Sequence, residues 1–235
     1  MKQRVWLFLV FAFVIGLAGC SVGSPGGNSG GHRVITVDGS STVYPLTEAA
    51  ADEFQKKNPG VKVTVGNSGT GGGFKKFVRG ETDISDASRP ILQKEIDEAR
   101  AQQIEFVELP VCYDALTVVV SKENTWADSL SIAELKKIWD PDSKGKVTRW
   151  SDIRAGWPNE PFVLFGPGTD SGTFDYFTEA VCGKAGRSRD DYTASEDDNI
   201  LVRGVAGNKF GMGYFGYSYY ANHQDKLRAV PVSWE

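Results

Sequence analysis

The chain has 235 residues, 40% hydrophobic and 24% charged, with a net charge of −4. That is enough apolar material for one large domain or two small ones and excludes a disordered or collagen-like chain. An acidic balance also argues against a nucleic-acid or anionic-lipid surface.

Met1-Lys2-Gln3-Arg4 is a short basic start and Val5 to Gly19 is almost wholly apolar. Such a run is short for a bilayer span and fits a secretory signal over residues 1–19. It closes on Leu17-Ala18-Gly19-Cys20, which resembles a bacterial lipobox, so Cys20 is the expected lipidation site. Residues 20–33, rich in Gly and Ser, read as a tether. A lipid and a loose leash hold a soluble body at the outer side of a membrane, with the anchor as its only membrane contact. Loss of Lys2 and Arg4 with the leader makes the body two charges more negative. Any anion must then be held by local hydrogen bonds.

Val34 to Val37 predicts a strand that runs into Asp38-Gly39-Ser40-Ser41-Thr42-Val43-Tyr44-Pro45 and a helix through about Lys57. Val61, Val63 and Val65 alternate as a second strand before Gly66-Asn67-Ser68-Gly69-Thr70-Gly71-Gly72-Gly73 and a short helix. Thr82 to Ser85 is extended and leads to Asp86-Ala87-Ser88-Arg89-Pro90 and a helix from Gln93 to Gln102. Arg89, fixed at a turn, could fork onto an oxyanion. Glu105–Leu109 and Ala115–Val120 read as strands, the second fully buried. Ser131 and Glu134 form a capping box for a helix to Trp139, and Trp150 and Trp157 are packing anchors. Pro161 to Phe165 is a strand before Gly166-Pro167-Gly168-Thr169-Asp170-Ser171-Gly172-Thr173, and Thr173 to Val181 a helix. Asp197 to Asn199 cap a helix through Val205. Gly211 to Gly216 spells G-x-G-x-x-G without the βαβ context of a dinucleotide site, and reads as a strand with close backbone contacts.

Alternating strands and helices predict an α/β body whose ligand sits at strand ends beside helix N-termini. Three Ser/Thr/Gly turns of one design, with Ser88-Arg89, suit a small oxyanion. Cys112 and Cys182 could pair in an exported protein, but spacing leaves this open. His32 and His223 are the two histidines, too few and too far from the motifs for a zinc centre or a Ser-His-Asp triad.

Together the four motifs around Ser41, Thr70, Ser88 and Ser171 resemble the PstS phosphate-binding proteins of bacterial ABC transporters. The resemblance runs from Val34 to the end. It implies a two-lobed α/β fold of the periplasmic-binding-protein kind (type II), with the cleft between lobes. Residues 34–115 and 213–235 would form the first lobe and 116–212 the second. It implies phosphate ligands at Ser41, Thr42, Thr70, Gly71, Ser88, Ser171, Gly172 and Thr173. Some family members carry an Arg before the last turn, where this chain has Pro167 and Gly168; the cation is then assigned to Arg89. An Asp that accepts the phosphate proton would exclude sulfate, with Asp114 and Asp170 as candidates and Asp86 third. Family members continue further, so the chain is expected to be truncated and its first lobe incomplete. The resemblance implies a monomeric binding protein without cofactor, catalytic residue or metal, working with inorganic phosphate and a permease. The alternatives are another tetrahedral anion (sulfate or molybdate) and an exported phosphatase or serine hydrolase using Ser171.

Overall fold

The repeated strand–turn–helix units of the sequence emerge as parallel ladders. The computed structural model describes residues 33–234. In it β1 (Arg33–Gly39) leads to α1 (Tyr44–Lys57), β2 (Val61–Val65) to α2 (Gly69–Phe77), and β3 (Ile84–Asp86) to α3 (Gln93–Ala101). Each strand returns through a helix, so the sheet β2-β1-β3 is parallel throughout, with Val37 set against both Val65 and Ile84. Pro45 stands in the first turn of α1, where its missing N–H costs no hydrogen bond.

The chain then crosses to a second lobe. Its elements are β4 (Leu116–Ser121), β5 (Leu130–Ser131), α4 (Ile132–Trp139), α5 (Trp150–Ile153), β6 (Val163–Gly166), α6 (Gly172–Cys182), β7 (Thr193–Ala194), α7 (Asp198–Ala206), β8 (Gly211–Gly216), α8 (Tyr217–Ala221), β9 (Leu227–Ala229) and β10 (Val232–Ser233). Five strands order as β7-β6-β8-β4-β9. β6 is parallel to β7 and β8, while β4 is antiparallel to β8 and β9. The apolar run of β4 is explained by its interior place between β8 and β9, which leaves Val119 and Val120 with no exposed surface. β8 is glycine-rich because its neighbours press on its backbone. A Cβ on Gly213 would lie 2.6 Å from the Phe165 carbonyl oxygen.

The core of this lobe is aromatic. Trp139 meets Phe177, Tyr192 and Tyr214 edge-on, and Phe177 stacks on Tyr214 with centroids 3.7 Å apart. α4 is fixed by its capping box: Ser131 Oγ accepts from the Glu134 amide at 3.2 Å, and the Glu134 carboxylate accepts from the Ser131 amide at 3.0 Å.

Two expectations fail. Glu105–Leu109 forms no ladder, and Val107, Leu109, Val111 and Tyr113 are exposed. Phe106 alone of this stretch has an aromatic partner among the described residues, meeting Phe77 edge-on at 6.1 Å. Alternation can make a segment extended, but a strand needs a partner edge that spacing does not supply. Residues 213–235 do not join the first sheet. β8 and β9 flank β4 and β10 pairs with β5, which puts this stretch with the second lobe. A buried strand pattern says nothing about which sheet it enters. Residues 1–32, with Cys20 and most of the proposed tether, lie outside the described residues, as does Glu235.

Candidate functional site

The turns after β1, β2, β3 and β6 all leave the carboxyl ends of parallel strands, and they meet. Thr42 Oγ1 lies 3.2 Å from Thr173 Oγ1 across the two lobes. Thr70 Oγ1 accepts from the Ser88 amide at 3.1 Å, and the Ser40 and Ser88 hydroxyls bond to each other. Gly172 closes the group: a Cβ there would lie 2.9 Å from Thr70 Oγ1 and 3.0 Å from Ser88 Cβ. Hydroxyls of both lobes thus share one small space beside the first turns of α1, α2 and α6. Helix starts of this kind leave backbone N–H groups and a positive dipole end for a negative guest.

The other expected residues have protein partners. Ser171 Oγ caps α6, accepting from the amides of Thr173 and Phe174 at 3.1 and 3.4 Å. The Ser41 carbonyl accepts from the Tyr219 hydroxyl at 2.8 Å. The Gly71 amide donates to the Asp170 carbonyl at 2.6 Å, which ties the lobes together.

Arg89 stands at the rim as a hub. Its guanidinium grips Glu95 through two nitrogens at 2.8 and 2.9 Å and reaches Asp175 on α6 at 3.3 Å. It also lies 5.1 Å above the Phe74 ring. The hydrogen bonds that Arg89 donates to Glu95 raise the Arg89 pKa first of all, while burial pushes the Asp175 carboxyl up, more than Arg89 pulls it down. Glu95 is therefore the main partner, and Asp175 is left under-compensated.

The three candidate aspartates differ in setting. Asp170 pairs with Lys75 across the lobes at 2.7 and 2.9 Å, in an exposed contact. Asp114 accepts from the Ala115 amide at 2.8 Å. Its side chain is exposed, yet protein around it pushes its carboxyl up. Burial also raises Asp86, which accepts from the Thr47 hydroxyl at 2.5 Å.

Sequence reasoning missed Glu196. Gly69 and Gly168, from opposite lobes, make room for it: Cβ atoms there would lie 2.6 and 2.1 Å from its two carboxylate oxygens. Its Oε1 accepts from the Asp170 amide at 3.2 Å, and burial raises its pKa. The glycines were visible in the sequence, but the side chain they admit was not. Ser40, within the first motif, was also not singled out. Cys112 is exposed and Cys182 buried, with no disulfide between them among the described residues, and burial pushes Cys182 up to about 11. His223 bonds the Tyr219 carbonyl through Nδ1 at 2.8 Å, away from the four turns.

Two α/β lobes whose strand ends face one hydroxyl-lined space define a solute-binding fold. Residues 26–235 match the family model described as a PBP superfamily domain. Protein SphX of Synechococcus elongatus is 53% identical over 201 residues, which cover 86% of this chain and 59% of that protein. The phosphate-binding protein PstS of Staphylococcus epidermidis is 36% identical over 231 residues, 95% of this chain and 69% of that one. A solved structure from Clostridium perfringens, described as a phosphate ABC transporter substrate-binding protein with bound phosphate, superposes with a TM-score of 0.69. It is 28% identical, over 85% of this chain and 76% of that one. The chain belongs to the PBP superfamily and, within it, to the PstS family. It spans about six tenths of the length of the SphX proteins it matches, 59% and 63%.

Gly172 offers a direct check of the convergence. Gly172→Val should force Thr70 and Ser88 away from α6, costing about 1–3 kcal/mol of stability. Inorganic phosphate should then bind about tenfold or more weakly in a calorimetric titration. A variant with unaltered melting and affinity would separate these loops.

Proposed function

We propose that this chain captures inorganic phosphate outside the cytoplasm and delivers it to the permease of an ABC importer. One observation carries the reading: Thr42, Thr70, Ser88 and Thr173 bring hydroxyls from both lobes to one place, with Gly172 packed between them. A hydroxyl bonded to another hydroxyl can turn its proton to an anion, so these contacts can be exchanged for phosphate oxygens. The named functions of the PstS relatives support the same ligand.

In this reading Ser41, Thr42, Thr70, Gly71, Ser88, Ser171, Gly172 and Thr173 surround the anion with hydroxyls and amides. Arg89 balances charge at the rim, and Asp114 or Asp170 takes the phosphate proton. The lobes are assigned as 34–115 and 116–235. The body is a monomer held at the cell envelope by a lipid on Cys20. It binds its solute without transforming it. Ser171 is engaged as a helix cap, and a nucleophile needs a base beside it.

Calorimetric titration of the full chain with phosphate, sulfate and molybdate tests the reading. Phosphate should bind one to one, with sulfate weaker by on the order of 10²-fold or more, because the carboxylate that accepts the phosphate proton would face a sulfate oxygen without one. Equal affinity for sulfate would overturn the assignment.

A further inference from the structure

One carboxylate beside the cleft has no part in the scheme above. Asp198 opens α7, directly after the capping Asp197. It is 1% exposed, and among the described residues neither of its carboxylate oxygens has a hydrogen-bond partner within bonding geometry. The backbone N–H of Gly216, where β8 ends, favours its charge. Gly216 in turn adjoins the cleft: a Cβ there would lie 2.7 Å from Thr42 Cγ2 and 3.4 Å from Thr42 Oγ1. Asp198 therefore stands one residue behind the Thr42–Thr173 contact, on the sheet side.

The ionisable groups that act most on it from the packed elements are acids. Asp197 and Glu196 lie on the loop that enters α7, Asp114 on the segment that enters β4, and Tyr219 on α8. Tyr219 spends its proton on the Ser41 carbonyl. The positive end of the α7 dipole favours an anion at this position, yet a buried carboxylate with little beyond the Gly216 N–H to support it is costly while ionised. Burial pushes the carboxyl up to about 7. A multiply charged oxyanion at Thr42 and Thr173 adds negative charge one residue away and favours the neutral acid further.

We propose that Asp198 is a positioning residue that takes up a proton as the cleft fills, so that capture of an oxyanion by this chain is proton-linked. The inference rests on the phosphate-binding reading. The proton comes from solvent and returns there when the anion leaves. While bound, it keeps the layer under Gly216 and Thr42 neutral.

The test is calorimetric titration of the full chain with inorganic phosphate at about pH 8, in two buffers of different ionisation heat. Phosphate is then mostly past its own second ionisation. The wild-type chain should absorb about half a proton or more per phosphate bound, and its affinity should fall by up to about tenfold per pH unit above that. Asp198→Asn, neutral and of similar shape, should bind phosphate with that uptake removed and a flatter pH profile. A purely structural Asp198 would alter affinity without moving the proton count. Equal counts in both chains overturn the inference while leaving phosphate binding intact. Should the variant not fold, the wild type suffices, because no net uptake between about pH 7 and 9 overturns it. Binding by neither chain would remove the phosphate reading and this inference with it.

Discussion

Arg89→Ala should destabilise the protein by about 3–5 kcal/mol, measured by urea denaturation at neutral pH. The side chains of Arg89 and Glu95 are only 16% and 14% exposed, so deleting the cation strands a largely desolvated carboxylate. Asp175, already pushed up by burial, loses the cation that lowers it. Exposed pairs give a different expectation: Lys75→Ala, at the Asp170 contact, should cost no more than about 1 kcal/mol. Arg89→Lys should recover only part of the loss, because an ammonium cannot make the two-pronged contact to Glu95 while also reaching Asp175. A loss below about 1 kcal/mol for Arg89→Ala would show that this hub is a surface pair in energetic terms. The same variant should weaken phosphate binding if Arg89 serves the anion. Glu95 holds the guanidinium in a fixed plane, so the arginine is a strut between α3 and α6.

The second large effect is the pH dependence of stability set by Asp198. Below its ordinary pKa of 3.8 the carboxyl is protonated in the folded and unfolded chain alike, and it contributes no pH slope. Between 3.8 and about 7 the unfolded chain releases the proton and the folded chain keeps it, so stability falls as pH rises. Above about 7 the loss is complete, and the gap corresponds to about 4 kcal/mol. Asp198→Asn lacks this slope. Urea midpoints of the two chains should therefore diverge with rising pH, with the variant gaining on the wild type, while the remaining titrating groups cancel in the comparison. Parallel curves from about pH 4 to 8 would mean that Asp198 is solvated or paired in solution.

Both predictions concern residues whose importance could be read from the sequence only in part. Arg89 stood out because a cation beside a serine at a strand-ending turn suits an anion. Nothing in the spacing announced Glu95 and Asp175 as its partners, since one lies six residues away and the other on α6 in the opposite lobe. Asp198 looked like the second residue of a capping run. Its burial beside Gly216 comes from the packing of α7 on β8, which no local pattern records. Ser171 shows the converse. Its capping bonds to the amides of Thr173 and Phe174 are local and follow from a serine directly before an apolar helix.

The sequence by itself determined the elements and their punctuation. Valine alternation made β2, a buried apolar run made β4, capping residues started α4 and α6, and glycines marked turns where the backbone must pass close to a neighbour. These are short-range consequences of steric fit and hydrogen bonding, so they survive without knowledge of the partner. Tertiary structure decided which edges pair, and so put β8, β9 and β10 with the second lobe and left residues 105–109 without a ladder. It also decided which charges meet. Side chains far apart in the chain become neighbours only when elements pack: Arg89 meets Asp175 across the lobes, and Asp198 loses its water where α7 covers β8.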